Sequence, residues 1–313
     1  MGAIKNYLSL IKFAHTIFAM PFALIGFSLG ITSYGYLNSF LNQNQYEWFH
    51  GQVPDFSDYP SSIQQIVIRF LLIIGCMIFA RSAAMAFNRY LDAEFDKKNP
   101  RTVVREIPAG IIKPANALLF VIINCIAFIA CCWFINRLCF YLSFVALFVV
   151  LFYSYTKRFT ALCHLVLGVG LGLAPIGAYI AVTGSFAVLP LLFSFAVLFW
   201  VSGFDIIYAL QDEEFDKHYQ LHSIPAAVGK KGALRISEIL HFLSAACVIF
   251  AGYYGHFGYW YIAGAAFFTA LLIYQHLLAK PTDLSKVNMA FFTTNGIASV
   301  VFAVFVLVDI FCR

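Results

Sequence analysis

The amino-acid sequence predicts an all-α, polytopic membrane protein, with nine transmembrane helices around a central cavity and two pseudo-repeated halves in a single domain over residues 1–313. Three observations predict it. Hydrophobic residues make up 62% of the chain and charged residues 11%, far from the roughly half-apolar, quarter-charged balance of soluble domains. Long stretches such as Pro114 to Asn136, Leu138 to Thr156 and Val287 to Val308 carry no formal charge, each close to the ~20 residues a helix needs to cross hydrocarbon. Finally, two near-copies of one acidic hexapeptide, "DAEFDK" from Asp92 and "DEEFDK" from Asp212, each close an apolar run.

Along the chain, helices are expected at about 13–36, 66–87, 115–136, 138–156, 159–183, 187–210, 236–255, 258–279 and 289–311. The first apolar stretch is too long for the core of a secretory signal and has no small-residue cleavage site, so it reads as the first span. The segment from about Leu37 to Gln65 is acidic (Glu47, Asp55, Asp58), polar and broken by Pro54 and Pro60. It reads as an external loop with room for a short interfacial helix, its Tyr46, Trp48, Phe49 and Tyr59 suited to the membrane interface. The uncharged run Phe159 to Phe204 must turn near Thr183-Gly184-Ser185, and Ile239 to Ala279 near Gly255-His256-Phe257-Gly258. None of the eight cysteines forms a CxxC pair, so they read as packing residues, without a metal or disulfide framework.

Charge fixes the orientation. With the N-terminus inside, the cytoplasmic segments hold 16 of the 20 Lys and Arg residues, the skew that the positive-inside rule demands. The basic excess therefore points to anionic membrane lipid or phosphate at that face and not to nucleic acid. A bacterial inner membrane is the expected location, with the site near the cytoplasmic face; no protein partner can be inferred.

Both acidic boxes fall on that side. In "NRYLDAEFDKKNPRTVVREIPAG", Asn88, Asp92 and Asp96 are spaced by four, so on a continued helix their oxygens share one face. Tyr208, Asp212 and Asp216 repeat the spacing after the sixth helix, and each box leads into an Ile-Pro-Ala tripeptide (Ile107-Pro108-Ala109, Ile224-Pro225-Ala226). Carboxylates at i,i+4 repel one another, and four of them at a membrane edge need a counter-charge. Mg²⁺ prefers hard carboxylate oxygens and shares its other positions with substrate phosphates. Two such faces opposite each other, through Asp92, Asp96, Asp212 and Asp216, make a socket for Mg²⁺-diphosphate. Arg101, Arg105, Lys157 and Arg158 are placed to neutralise the phosphate oxygens left bare.

A diphosphate held where helices enter a bilayer implies a ligand with a greasy tail, a polyisoprenyl diphosphate. Losing the diphosphate leaves an allylic cation, which must be shielded from water and offered an acceptor. Asp205, inside the sixth span, is costly at that depth and functional by default. It orients or deprotonates an acceptor, or pairs with a base, or is a structural partner of Arg81. Tyr153 and Tyr155 reach the head group or line the cavity, core packing being an equal reading. Glu238, His241, Asp309 and His15 read as helix–helix hydrogen-bonding groups.

At these residues the sequence resembles the UbiA superfamily of intramembrane aromatic prenyltransferases. Their first box, NDxxDxxxD, is met by Asn88, Asp92 and Asp96; their second, DxxYAxxDxxxD, by Asp205, Tyr208, Ala209, Asp212 and Asp216. "YSYTKRF" resembles their YxxxKR element, giving Lys157 and Arg158. The resemblance implies Mg²⁺ and prenyl diphosphate on the boxes, with Asn88 assisting, and transfer to 4-hydroxybenzoate or a dihydroxynaphthoate on the way to ubiquinone or menaquinone. It is similar to a 4-hydroxybenzoate polyprenyltransferase-like branch that includes enzymes of the futalosine route. Arg89 stands where the first box usually has aspartate, and His222 where many 4-hydroxybenzoate enzymes have lysine. A haem, chlorin or lipid acceptor is the alternative within the class. A polytopic transporter is the alternative outside it, one that leaves the carboxylates opposite a basic cluster unexplained.

Overall fold

The computed structural model describes residues 2–11, 20–33, 60 and 62–312. It is all helical, and eight of the described helices, taking Val188–His218 and Met289–Phe311 as continuous, are long and apolar enough to cross a membrane. The expected first span is represented by the 14 residues of Met20–Ser33; His15 and most of the 37–65 loop lie outside the described residues.

The helices run in order: α1 Gly2–Leu10, α2 Met20–Ser33, α3 Ile63–Leu91, α4 Ala93–Lys98, α5 Pro114–Ile135, α6 Arg137–Thr156, α7 Cys163–Thr183, α8 Val188–Ala209, α9 Glu213–His218, α10 Ile224–Tyr254, α11 Tyr259–Leu278 and α12 Asn295–Phe311. Local chemistry sets their ends. The Ser62 hydroxyl accepts from Gln65 N–H to open α3. Asn136 ends α5, caps α6 by accepting from Cys139 N–H at 2.8 Å, and donates to the Ile180 carbonyl of α7. Gly184, at φ 70°, closes α7 in the left-handed region where a side chain is strained. Asp309 reads as structural: its carboxylate accepts from Gly258 and Tyr261 N–H at 2.8 and 3.2 Å, capping α11.

One expected element is corrected. The seventh helix starts at Ile224, not near 236, because Ser223 caps it and Pro225 occupies its first turn. Gly229, at φ 72° and ψ 169°, interrupts it before the apolar part begins.

Two of the buried apolar clusters among the described residues frame the site, and a further one, with Phe27, Ile73, Ile135 and Val182, joins them. Helices α2, α7, α8, α10, α11 and α12 surround an aromatic core in which Phe22, Phe193, Trp200, Phe268 and Phe302 are fully buried. Trp200 lies 5.4 Å from the Phe22 ring and 5.7 Å from that of Phe268, and its indole N–H is satisfied by Asn295 at 2.9 Å. The second cluster joins α3, α5 and α6, and α1 docks on it through Leu10 and Ile11 against Ala83, Ala86, Ile107 and Ile112. Outward faces carry Phe134, Phe242, Tyr253 and Tyr259, as lipid contact requires.

Candidate active site

The two acidic boxes fold alike. Helix α3 ends at Leu91, Asp92 sits at φ −87°, ψ 5°, and the six-residue α4 follows. Helix α8 ends at Ala209, a single 3₁₀ turn leads to Asp212 at φ −104°, ψ 5°, and the six-residue α9 follows. Burial matches position for position from 91 to 100 and from 211 to 220. In the first box the i→i−4 bonds continue through the break (Asp92 N–H to Asn88 O, Asp96 N–H to Asp92 O), so Asn88, Asp92 and Asp96 keep one face, as their spacing predicts. Asn88 donates to Asp92 at 3.1 Å.

Each of the four carboxylates has its own cation. Arg105 Nη1 donates to both oxygens of Asp96 at 2.7 and 2.9 Å. Arg158 Nη2 stands 3.8 Å from Asp92 and donates to the Leu91 carbonyl at 2.8 Å. Lys157 Nζ is 2.7 Å from the fully buried Asp216. Arg101 leaves its own box and pairs with Asp212, also donating to the Tyr208 hydroxyl at 2.9 Å. The boxes therefore meet at one end of the bundle, tied by the loop after α4 and by the turn after α6. That turn is held by His222 N–H donating to the Lys157 carbonyl at 2.7 Å, so His222 contributes through its backbone while its side chain is exposed.

The local electrostatics follow from the crowding. Burial, and then the neighbouring Asp96 carboxylate, push Asp92 up to about 6 against the pull of Lys157 and Arg158. Burial works to lower the Lys157 ammonium, but the charge and hydrogen bond of Asp216 outweigh it and hold the group above its ordinary value.

Beside the boxes opens a cavity of about 990 Å³, lined in part by Lys5, Arg89, Arg101, Arg105, Tyr208 and Gln211. Its α1 wall is fastened where the Ser9 hydroxyl donates to Glu106. Asp205 is not a partner of Arg81: its carboxylate meets His164 Nδ1 at 2.7 Å, and His164 Nε2 accepts from Ile224 N–H at 3.4 Å. Sequence reasoning missed His164, although an ionisable group within an apolar run was the signal that flagged Asp205. Half-buried Tyr153 lies within electrostatic reach of both Asp205 and Asp92. His241 pairs with His276 at 2.9 Å, away from the boxes.

Among the described residues, no three His, Cys, Asp or Glu side chains form a ready metal cage. The donor set still suits Mg²⁺, which usually takes one or two carboxylates and completes its shell with water and phosphate oxygens. The one-to-one pairing shows what the carboxylates require: a positive charge apiece, now given by side chains.

Comparison with known proteins agrees with this geometry. The family described as "UbiA prenyltransferase family" matches residues 60–297. The 4-hydroxybenzoate octaprenyltransferase of Francisella tularensis subsp. mediasiatica is 30% identical over 243 residues, 77% of this chain and 84% of that protein. That of Tolumonas auensis is 30% identical over 234 residues, 74% of this chain and 82% of that one. Among solved structures, the apo UbiA homologue from Aeropyrum pernix K1 superposes with a TM-score of 0.77 at 28% identity, covering 95% of this chain and 98% of that one. A UbiA homologue from Archaeoglobus fulgidus, bound to GPP and Mg²⁺, shares the fold with a TM-score of 0.64 at 19% identity, covering 97% and 99%.

Proposed function

This chain belongs to the UbiA prenyltransferase family, and from that premise we propose Mg²⁺-dependent transfer of a polyprenyl group from polyprenyl diphosphate to the ring of an aromatic acid, 4-hydroxybenzoate or a dihydroxynaphthoate. The chain is a membrane-embedded aromatic polyprenyltransferase of the 4-hydroxybenzoate octaprenyltransferase-like type. The acceptor, its place in ubiquinone or menaquinone formation and the residue roles below are our reading. The observation that carries it is the meeting of two carboxylate boxes across Arg101, Lys157 and Arg158. GPP and Mg²⁺ in the Archaeoglobus homologue support it.

In this reading Asp92, Asp96, Asp212 and Asp216 hold Mg²⁺, with Asn88 orienting Asp92. When bound, the metal draws charge from the departing diphosphate. Lys157, Arg158, Arg101 and Arg105 exchange their carboxylate partners for phosphate oxygens, which suits their forked or point-charge geometry. Tyr208 steadies Arg101, and Tyr153 walls the space between Asp92 and Asp205. Asp205 orients the acceptor and receives the proton its ring gives up as the new carbon–carbon bond forms. His164 holds that carboxylate in place.

The same reading extends Met20–Ser33 to a ninth span and relates the two box-bearing halves as repeats, supported by the matching burial at 91–100 and 211–220. It places the boxes at the cytoplasmic face of a bacterial inner membrane, as the basic skew suggests. Purified protein given a labelled prenyl diphosphate, each acid in turn, and Mg²⁺ or EDTA tests it. Labelled product on one acid, lost in EDTA, is expected; transfer to none of the acids overturns the aromatic-acid assignment.

A further inference from the structure

Arg89, on the wall of the cavity beside the boxes, is not among the cations that pair with the four box carboxylates. It follows Asn88 on α3 and is 4% exposed. Its Nε has no hydrogen-bond partner, and it makes no ion pair among the described residues. Arg101, Arg105, Lys157 and Arg158 are all paired. Arg89 instead lines the cavity of about 990 Å³ together with Lys5, Arg101 and Arg105. Glu106 on that wall accepts from the Ser9 hydroxyl, and it and Asp96 attract Arg89 only from beyond ion-pair distance. A guanidinium is too basic to shed its charge, and a buried charge without a partner is costly. The arrangement calls for an anion in the cavity.

The surroundings narrow which anion. Tyr208 and Gln211 line the cavity next to Asp212, and Arg101 links it to that carboxylate, so the cavity is continuous with the second box. Arg89 and Lys5 are the cavity cations outside the four box pairings, and they stand beside the second box, where the reading above seats the donor's diphosphate. We propose that Arg89, helped by Lys5, is a receiving site for the diphosphate head of the donor that works without metal, engaging the phosphate beside the boxes while the four carboxylates are still held by their own cations. The inference rests on the prenyl-diphosphate reading above and adds to it a binding residue and an order of events, head-group capture before metal-dependent seating.

The test is calorimetric titration of inorganic diphosphate into the full chain in a maltoside detergent with EDTA, using wild type, Arg89→Met and Arg89→Lys. Gel filtration and thermal unfolding verify that each variant is folded; should Arg89→Met fail to fold, Arg89→Gln replaces it. Wild type is expected to bind in EDTA, Arg89→Met at least tenfold more weakly, and Arg89→Lys in between. A parallel titration of 4-hydroxybenzoate should be unaffected by the substitutions. Equal binding by Arg89→Met and wild type overturns the proposal, as does an effect confined to 4-hydroxybenzoate. If wild type binds diphosphate only with Mg²⁺, the Arg89 site falls while the prenyltransferase reading stands. If it binds in neither condition, the Arg89 site falls together with the diphosphate-binding roles given above to the box residues and their cations.

Discussion

Lys157 and Arg158 are consecutive in the chain, yet their head groups part to opposite boxes. Lys157 reaches Asp216 at 2.7 Å and Arg158 approaches Asp92 at 3.8 Å. Helix α6 ends at Thr156, so the two side chains leave a helix terminus in different directions and span the gap between α4 and α9. A short turn thereby does what neither box does alone: it fixes their separation.

Replacing Lys157 by Met should accordingly weaken the donor more than the chemistry. A hydrogen bond between charged groups contributes about 1.5–3 kcal/mol, so KM for prenyl diphosphate is expected to rise roughly tenfold to hundredfold, with a smaller change in kcat. Steady-state kinetics at saturating acceptor measure it. An unchanged donor KM would remove Lys157 from the phosphate site.

Asp92 gives a pH dependence. Its carboxyl is raised to about 6 by burial and by Asp96, against an ordinary value near 4. The folded chain therefore keeps a proton that the unfolded chain releases. Metal-free stability should fall as pH rises through that window and level off above it. Mg²⁺ held by Asp92 has to displace the proton, so binding at pH 6 should release about half a proton more than binding at pH 8. Calorimetry in buffers of different ionisation enthalpy reads the difference; equal release at both pH values contradicts Asp92 as a ligand.

Helix α7 offers a stability test. A methyl group at Gly168 would strike the Leu198 carbonyl and the Ser202 hydroxyl of α8, whereas one at Gly177 meets nothing within 4 Å. Close approach of this kind is how small residues let helices pack in a bilayer. Gly168→Ala should cost about 1–3 kcal/mol, seen as a lower unfolding midpoint in detergent. Gly177→Ala should be neutral or raise stability by up to ~1 kcal/mol through helix propensity. Equal behaviour of the pair would mean that α7 and α8 do not pack this closely.

What the sequence disclosed depended on repetition. The boxes were legible because two near-copies share a spacing, and the helices because charge is absent over span-length runs. The pairing was not, since Arg101 passes over its own box to reach Asp212, a choice made by the fold of the loop after Asn99 and not by proximity in sequence. The early start of α10 was hidden by Lys230, Lys231 and Arg235, which mask its apolar pattern, although Ser223 and Pro225 form a helix-start signal. Arg89 read as a departure from a motif; only its burial and missing partner gave it a role to test.

His164 carries the last prediction. It is 3% exposed within α7, and its Nδ1 lies 2.7 Å from Asp205. The backbone N–H of Ile224 takes Nε2 as its acceptor, which leaves the Nδ1 proton directed at the carboxylate. If Asp205 collects the acceptor's proton, losing its orienting partner should slow the chemical step and leave the donor alone. General-base catalysis contributes roughly 10²–10⁴-fold, and His164→Ala should forfeit a part of it, a fall in kcat on the order of 10²-fold at an unchanged KM for prenyl diphosphate. Asn at the same position keeps a donor near Asp205 and should restore part of the rate, with an altered pH profile for kcat. A loss that the Asn variant does not relieve, or that appears in the donor KM instead, would reduce His164 to packing and leave Asp205 to be held by other means.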